Sequence, residues 1–256
     1  MHTGTLTIRH SPPSVRHLDL TLDTPAANLA ADEALLDAAE AEESEAADGV
    51  LRFYESPVHF IVVGYGNRIA AEVDVAACAA DGVPILRRVS GGGTVVLGPG
   101  CLAYALVLPV DLDPQLETVT GANRFIMERN RAALAALTGR PVAVQGHTDL
   151  AVANLKFSGN AQRRRRRTLL FHGTFLLHFD LACVGRWLRH PSAEPVYRNG
   201  RDHSAFVMNL GLSPAAVKTA LGRAWEATVG YGQPIGEAVA RLMRDRYSRP
   251  EWHARW

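Results

Sequence analysis

Lysine is almost missing from this chain. Of its 27 basic side chains only Lys156 and Lys218 are lysines, and the other 25 are arginines. Arginine offers a fixed, forked set of donors, whereas lysine is a compact point charge on a flexible stem. A chain so committed to arginine marks each lysine as a position with a specific use. Cysteine is scarce too: Cys78, Cys101 and Cys183 are far apart and form no CxxC or Cys/His spacing. That excludes a disulfide framework and a zinc-ribbon type of metal site, and fits a reducing compartment. Long apolar runs are absent; the longest, such as Phe60 to Val63 and Leu102 to Val110, fall far short of the ~20 residues that span a bilayer. The first residues hold no apolar signal core, so a cytoplasmic protein is expected. An excess of one charge is also lacking: 27 basic against 26 acidic side chains leave +1, which excludes a chain-wide field for nucleic acid or an anionic membrane.

What is present is ordinary globular composition, with enough apolar residues for a sizeable core. No repeat and no linker interrupts it, so residues 1–256 read as one domain. Residues 1–17 read as a loose leader, with Pro12 and Pro13 opposing helix. The stretch from Ala26 to Asp48 predicts an amphipathic helix whose eight carboxylates, from Asp32 to Asp48, meet no base and form a solvated face. Strands are expected at Val50 to Tyr54, Phe60 to Gly64, Val83 to Val89, Thr94 to Leu97 running into Leu102 to Leu108, Val142 to Val144, Leu150 to Val152, and Leu169 to Phe179 with a break at Gly173. Helices are expected at Leu116 to Leu137, at Pro214 to Val229 after an N-capping Ser213, and at Ile235 to Tyr247. The order is not a regular βαβ alternation. It predicts an α/β (α+β) fold with a central mixed, largely antiparallel sheet flanked by helices.

Four segments could carry chemistry. Arg87-Arg88-Val89-Ser90-Gly91-Gly92-Gly93 joins two forked cations to a loop whose bare backbone can approach an anion; it lacks the Gly-Lys-Ser/Thr of a P-loop and the GxGxxG spacing of a dinucleotide fold. A ligand loop accounts for it better than a glycine-rich hairpin with surface arginines. Lys156 follows Asp149 and stands among small polar residues, where an ammonium could meet a developing negative charge; a surface lysine in a turn is the alternative. Arg163 to Arg167 is a run of five arginines, read first as a solvated loop and second as a phosphate or RNA contact. His172, in Phe171-His172-Gly173-Thr174, is either an acid–base group or a ring that ties two strands together. Tyr197 to His203 is a polar turn with no mechanism beyond positioning an anionic ligand or a partner.

In this order the segments resemble the lipoate–protein ligase A family: Arg-Arg-x-Ser-Gly-Gly-Gly at 87–93, Asp149-Leu150, Lys156-x-Ser158-Gly159-x-Ala161-Gln162, and His172-Gly173-Thr174. Weaker matches are Asn28 to Leu36, Tyr65-Gly66, Glu72 and the closing Tyr247 to Trp252. The resemblance implies a biotin/lipoate-ligase catalytic fold. It implies activation of lipoate or octanoate with ATP, with Mg²⁺ as counter-ion, to an acyl-adenylate. Transfer then goes to a lysine of a lipoyl acceptor domain of a 2-oxoacid dehydrogenase or a glycine-cleavage-type protein. In the matching positions Lys156 would contact the acyl carboxylate and the adenylate phosphate. Arg87, Arg88, Ser90, Gly91, Gly92 and Gly93 would line the pocket, and Gly159 and Ala161 would keep the neighbouring backbone thin. Asp149, Ser158, His172, Gly173 and Thr174 complete the substrate-binding set, and no resident metal is implied. An apolar tunnel for the acyl tail is expected from Val62, Val95 and Leu106 outward.

The larger ligases carry a C-terminal accessory domain that is not expected within residues 1–256, so the chain is expected to work with a separate accessory chain, to act alone, or to do only part of the reaction. The dense arginine run suggests docking of an acidic acceptor. Related octanoyltransferases work without ATP through a cysteine thioester. One subfamily places that thiol just before the Asp-Leu strand, where Pro141 to Thr148 has none; another has a Pro-Cys pair, where this chain has Pro191-Ser192. The ligase reading therefore leads, ahead of an octanoyl or lipoyl transferase and a non-catalytic acyl- or nucleotide-binding homologue. The glycine-arginine loop of biotin ligases is absent.

Overall fold

Runs rich in β-branched and aromatic residues become strands, and alanine-rich runs become helices, in the computed structural model of the chain, which describes residues 15–41 and 45–255. The strands are β1 (Arg16–Asp19), β2 (Val50–Tyr54), β3 (Phe60–Val63), β4 (Ile85–Arg87), β5 (Val95–Leu97), β6 (Cys101–Pro109), β7 (Ala143–Gln145), β8 (Asp149–Val152), β9 (Leu155–Arg164), β10 (Thr168–Leu176) and β11 (Val229–Gly230). The helices are α1 (Pro25–Glu40), α2 (Ile69–Glu72), α3 (Val75–Ala80), α4 (Val119–Thr138), α5 (Ala182–Trp187), α6 (His203–Phe206), α7 (Pro214–Ala224), α8 (Gly236–Leu242) and α9 (Pro250–Ala254). A sheet in the order β11-β1-β2-β6-β10-β9-β8-β7 is antiparallel except where β1 pairs with β2 and β11, and a small sheet, β4-β3-β5, packs beside it. This is the mixed, largely antiparallel sheet with flanking helices that the sequence predicts.

The two faces of the large sheet differ because β6 alternates small and large side chains. Leu102, Tyr104, Leu106 and Leu108 pack towards α4 and α7, against Ile126, Met127, Val217 and Leu221. Ala103, Ala105 and Val107 face the other way, where Ala30, Ala31 and Ala34 of α1 are buried against them. Small residues on both partners let the helix lie close to the sheet. Helix α1 starts cleanly: Pro25 is in its first turn and Thr24 Oγ1 caps Ala27 N.

Several expected elements are redrawn by pairing. Of the leader, residues 1–14 lie outside the described residues, but Arg16 and His17 are strand, paired with Val50 and Leu51. The acidic helix ends at Glu40; Glu42 and Glu43 lie outside the described residues, and Glu45–Asp48 is a 3-10 turn. The 94–108 run is two strands in two sheets. β10 passes through Gly173 unbroken, between Tyr104 and Asn160. Pro214 to Val229 divides into α7 and the edge strand β11, with the predicted Ser213 cap in place. The last predicted helix continues from α8 into a π turn, Met243–Tyr247.

The largest correction concerns charge. The acidic face of α1 is not solvated: Asp32 and Glu33 are 2% and 1% exposed. The arginine run is not a free loop either. Arg163 and Arg164 belong to β9, and Arg164 Nη2 donates to Leu116 O at 2.7 Å. Arg165 pairs with Asp37 at 2.7 Å. The Glu40 carboxylate accepts from the backbone N–H groups of Arg166, Arg167 and Thr168 and from Thr168 Oγ1. The β9–β10 turn is thus fastened to the end of α1, at the opposite end of β9 from Lys156, roughly 25 Å away at ~3.3 Å per residue.

Burial alone would raise the Glu40 pKa, but hydrogen bonds from Arg167, Thr168 and Arg166 hold it below its ordinary value. A depressed carboxyl contributes stability above its unfolded pKa and loses it as pH falls through its folded pKa. Glu40→Ala should therefore cost about 1 kcal/mol at neutral pH, given the group's partial access to solvent, lowering Tm by roughly 2–4 °C. Thermal melts from pH 7 to pH 3 should show that gap closing; a gap independent of pH would mean the carboxylate does not hold the turn.

Candidate functional site

Two rows of residues run across the large sheet beneath α1. One reads Arg52, Ala105, His172, Ala161, and the other Tyr54, Ala103, Thr174, Gly159, Asp149, each residue directly opposite the next on the neighbouring strand. Cross-strand partners share a face. The alternation of small and functional residues therefore opens a trough in the sheet, closed above by α1, β3 and the glycine loop. The resulting cleft has a volume of about 420 Å³.

Lys156 reaches this cleft because of a tight turn. Ala153 and Asn154 both adopt left-handed backbone, φ 50° and 62°, so the chain reverses at once from β8 into β9. Lys156 Nζ lies 2.8 Å from Asp149 Oδ1, and its stem crosses Gly159, where a Cβ would stand 2.8 Å from Nζ. The second Asp149 oxygen accepts from Tyr197 Oη at 2.8 Å. Burial, and then the Asp149 charge, push the Tyr197 phenol well up, so it remains a donor.

The arginines preceding the glycines do different things. Arg87 is fully buried and does not line the cleft. It donates to Gly64 O, Tyr65 O and Asn67 O, and to the carbonyls of His253 and Arg255, while its own carbonyl accepts from Trp252 Nε1. It joins β4 to α9. Arg88 does line the cleft, but it organises the loop from within, donating to Ser90 Oγ at 2.9 Å, Gly91 O at 2.5 Å and Gly93 O at 2.8 Å. Burial lowers its pKa to about 10. With Arg88 holding these carbonyls, Gly92 and Gly93 stand at the cleft wall.

Beneath the loop is a buried polar chain. Ser90 Oγ lies 2.6 Å from His172 Nε2, His172 Nδ1 lies 3.1 Å from Asp32 Oδ2, and Asp32 Oδ1 accepts from Arg52 Nη1 at 2.6 Å. A carboxylate can only accept, so Nδ1 carries a proton towards Asp32, and in that tautomer Nε2 receives the Ser90 hydroxyl. The ring thus ties β10 to α1 and to the glycine loop, rather than two strands to each other. Gly173, next to it, is required by close approach: a Cβ there would stand 1.9 Å from Asn160 Oδ1, which accepts from Tyr104 Oη across the strand at 2.6 Å.

Of the residues singled out in the sequence, Arg88, Gly92, Gly93, Asp149, Lys156, Ser158, Gly159, Ala161, His172, Gly173 and Thr174 line one cleft. Arg87, Ser90 and Gly91 do not, and Ser90 lies buried beneath it. Val62 and Val95 line its apolar part with Leu29, Tyr54 and Leu97, whereas Leu106 faces α4 and α7 on the far side of the sheet. Sequence reasoning missed Arg52 and Tyr54, and it noted Tyr197 and Arg198 only as part of a polar turn with no mechanism beyond positioning an anionic ligand or a partner. An arginine inside an otherwise apolar strand, Val50 to Tyr54, was the available signal for Arg52. All three cysteines lie in the apolar cluster around the small sheet and α5. Burial pushes the Cys101 thiol to about 12; burial and nearby Asp74 and Asp81 raise Cys78, and burial and Asp180 raise Cys183. Among the described residues no group of three His, Cys, Asp or Glu side chains could hold a metal, and no helix is long and apolar enough to cross a membrane.

The model of the lipoyl protein ligase A/B catalytic domain matches residues 24–214. The chain is 32% identical over 171 residues to the putative lipoate-protein ligase A of Aeropyrum pernix, covering 66% of this chain and 60% of that protein. It is 30% identical over 265 residues to octanoyltransferase LipM of Symbiobacterium thermophilum, covering 89% and 93%. It spans only 40% of the probable lipoate-protein ligase A of Mycoplasma genitalium. In fold it superposes on a putative lipoate protein ligase of Thermoplasma acidophilum with bound lipoic acid, at TM-score 0.78 and 23% identity over 94% of this chain and 99% of that one. It also superposes on a lipoate-protein ligase A bound with ATP, at TM-score 0.79 and 24% identity over 94% and 98%. The residues lining the cleft, from Leu29 on α1 to Val207, fall inside the matched span, and the chain belongs to the lipoyl protein ligase A/B catalytic domain family.

Proposed function

We propose that this chain is a lipoate–protein ligase that activates lipoate or octanoate with ATP and passes the acyl group to a lysine of a lipoyl acceptor domain. The observation that carries the choice of ligase is that no cysteine lines the cleft that holds Lys156. A thioester mechanism needs a thiolate within reach of the cleft, and the three cysteines are instead buried in the cluster beside the small sheet, with thiols raised above their ordinary pKa. An adenylate mechanism needs what the cleft has: an ammonium that can be freed for an anion, and an apolar trough that excludes water.

In this reading the acyl tail lies along Leu29, Tyr54, Val62 and Val95, which brings its carboxylate to Lys156. A carboxylate oxygen attacks the α-phosphate of ATP, pyrophosphate leaves, and charge gathers on the phosphorus oxygens; Mg²⁺ enters as the nucleotide's counter-ion. Lys156 exchanges Asp149 for these oxygens, a fixed donor of the kind worth ~3 kcal/mol in the transition state. The acceptor lysine, as free amine, then attacks the acyl carbon, AMP leaves and an amide forms. Water exclusion protects the mixed anhydride in between. The acceptor is a lipoyl domain of a 2-oxoacid dehydrogenase or a glycine-cleavage-type protein, met in the cytoplasm, and a separate accessory chain can take part.

A second reading has its own support: the relation to the LipM octanoyltransferase extends over 89% of this chain. Intact mass of an apo lipoyl domain, incubated with the protein, lipoate, ATP and Mg²⁺, separates the two. The ligase predicts a lipoyl mass gain that disappears without ATP. A gain from octanoyl carrier protein without ATP would overturn it in favour of the transferase.

Two variants test the residues. Lys156→Ala should reduce adenylate formation at least ~100-fold with an unchanged circular dichroism spectrum, and near-normal turnover would remove Lys156 from the chemistry. Cys78→Ala, Cys101→Ala and Cys183→Ala should each keep the ATP-dependent rate of transfer within about two-fold once compared at equal folded fraction; loss of turnover in one of them, with its fold retained, would reveal a nucleophilic thiol.

A further inference from the structure

Arg198 is a buried guanidinium with an unused donor. It ends a 3-10 turn, Val196–Arg198, and is 4% exposed, yet it lines the cleft. Its Nε donates to Arg201 O at 2.9 Å and lies 3.4 Å from the Glu194 carboxylate, and its plane stacks over Phe206 at 4.8 Å. Nη2 is buried without a partner among the described residues. The neighbouring Arg201 is the opposite case, with donors to the carbonyls of Arg198, Ala205, Asn154 and Tyr197. Glu194 does not cover the gap: its Oε1 accepts from Gly200 N at 2.9 Å, and its Oε2 lies nearest Arg198 Nε, not Nη2. Arg16 Nε, Arg52 Nε and Arg164 Nη1 are also buried without a partner among the described residues, but of these four arginines only Arg198 lines the cleft, and a charged donor left unpaired in a ligand cleft points to an oxyanion. Burial also lowers the Arg198 pKa, as expected of a cation short of partners.

Position across the sheet selects the oxyanion. Tyr54 stands on β2 at one side of the trough, His172 and Thr174 on β10, Lys156 on β9 and Asp149 on β8. Arg198 stands beside Lys156 and Asp149, because its neighbour Tyr197 bonds Asp149 and its guanidinium lies over Phe206, next to Val207, which bridges to Lys156. An acyl tail in the apolar part on the β2 side ends with its carboxylate at Lys156, so whatever the carboxylate reacts with lies on the Arg198 side. We infer that Arg198 binds a phosphate group of the nucleotide, a contact that rests on the ligase reading above. Lys156 and Arg198 then grip the substrate from two points tied together through Asp149 and Tyr197.

Calorimetric titration of the full chain with MgATP, and separately with octanoate, tests this. The expected result is MgATP binding by the unaltered protein, weakened ~10-fold in Arg198→Ala and by less in Arg198→Lys, which keeps the charge but loses the fork. Octanoate affinity should not move. Tm of both variants guards against misfolding, and Arg198→Lys, which retains a long aliphatic stem, serves if the alanine variant is unstable. Unchanged MgATP affinity in folded variants would overturn the inference while leaving the ligase reading intact. Weakened octanoate affinity with unchanged MgATP affinity would also overturn it, by making the ligand a carboxylate. Failure of the unaltered protein to bind MgATP would instead remove the ligase reading, and the inference with it.

Discussion

The pairing of Asp32 with Arg52 inside the protein is the interaction on which the rest of the site depends. Arg52 is fully buried in β2 and donates to Asp32 Oδ1, to Asn28 O and Oδ1, and to Leu20 O. A buried ion pair is tolerated only when nearly every donor and acceptor finds a partner, because desolvation otherwise exceeds the attraction. Serving both Nη groups of Arg52, while its Nε has no partner among the described residues, fixes the height and rotation of α1 over the sheet. It also fixes the chain entering α1, where Asn28 further bonds Leu22 at both N and O. With Asp32 so placed, its second oxygen orients His172, His172 receives Ser90, and Ser90 receives Arg88, which draws in the glycine carbonyls. The loop shape that a ligand meets is set four side chains away, in the core.

The same logic extends along α1 and accounts for the arginine-rich composition. Glu33 is met by Arg246 and by Tyr247 Oη at 2.8 Å, Asp37 by Arg165, and Glu40 by the β9–β10 turn. Carboxylates on one helix thus receive partners from several distant segments. Arginine suits these sites because one side chain can serve a carboxylate and carbonyls together, as Arg52 does. The two lysines are used as point charges. Lys218 on α7 lies between Asp19 and Glu55, 2.9 Å from each, and Lys156 lies at the cleft. Each of the two lysines therefore has a distinct ionic role, as their scarcity suggested.

Much of the framework was legible because it depends on local pattern: β2, β3, β8, α4 and the Ser213 cap stand close to where periodicity and capping put them. β9 was not legible. Leu155 to Arg164 has few β-branched residues, a glycine and a run of arginines, and it is extended because β8 and β10 pair with it on both sides, a tertiary effect that overrides propensity. The site divides the same way. Lys156, the glycine loop and His172 were visible as unusual residues in unusual company. The inward role of Arg87 was not, because its acceptors come from residues 64–67 and 253–255, a union only folding creates. Arg52 needed Asp32, twenty residues away, to be recognised, and Tyr197 needed Asp149.

That last pair explains how the cleft can keep its lysine neutralised at rest and still release it. If Asp149 had Lys156 as its sole partner, an arriving anion would leave a carboxylate stranded beside new negative charge, and the desolvation cost would oppose binding. Tyr197 Oη already donates to the other Asp149 oxygen, and the raised phenol pKa keeps that donor in place at any physiological pH. Asp149 would thus hold a hydrogen bond in both states of the proposed ligase reaction, so transferring the ammonium to a substrate oxyanion would exchange one ionic partner for another. A cleft whose cations were wholly free would attract anions indiscriminately. Here Lys156 must be won from Asp149, which favours ligands that bring their own negative charge to that point and an apolar tail to fill the trough behind it.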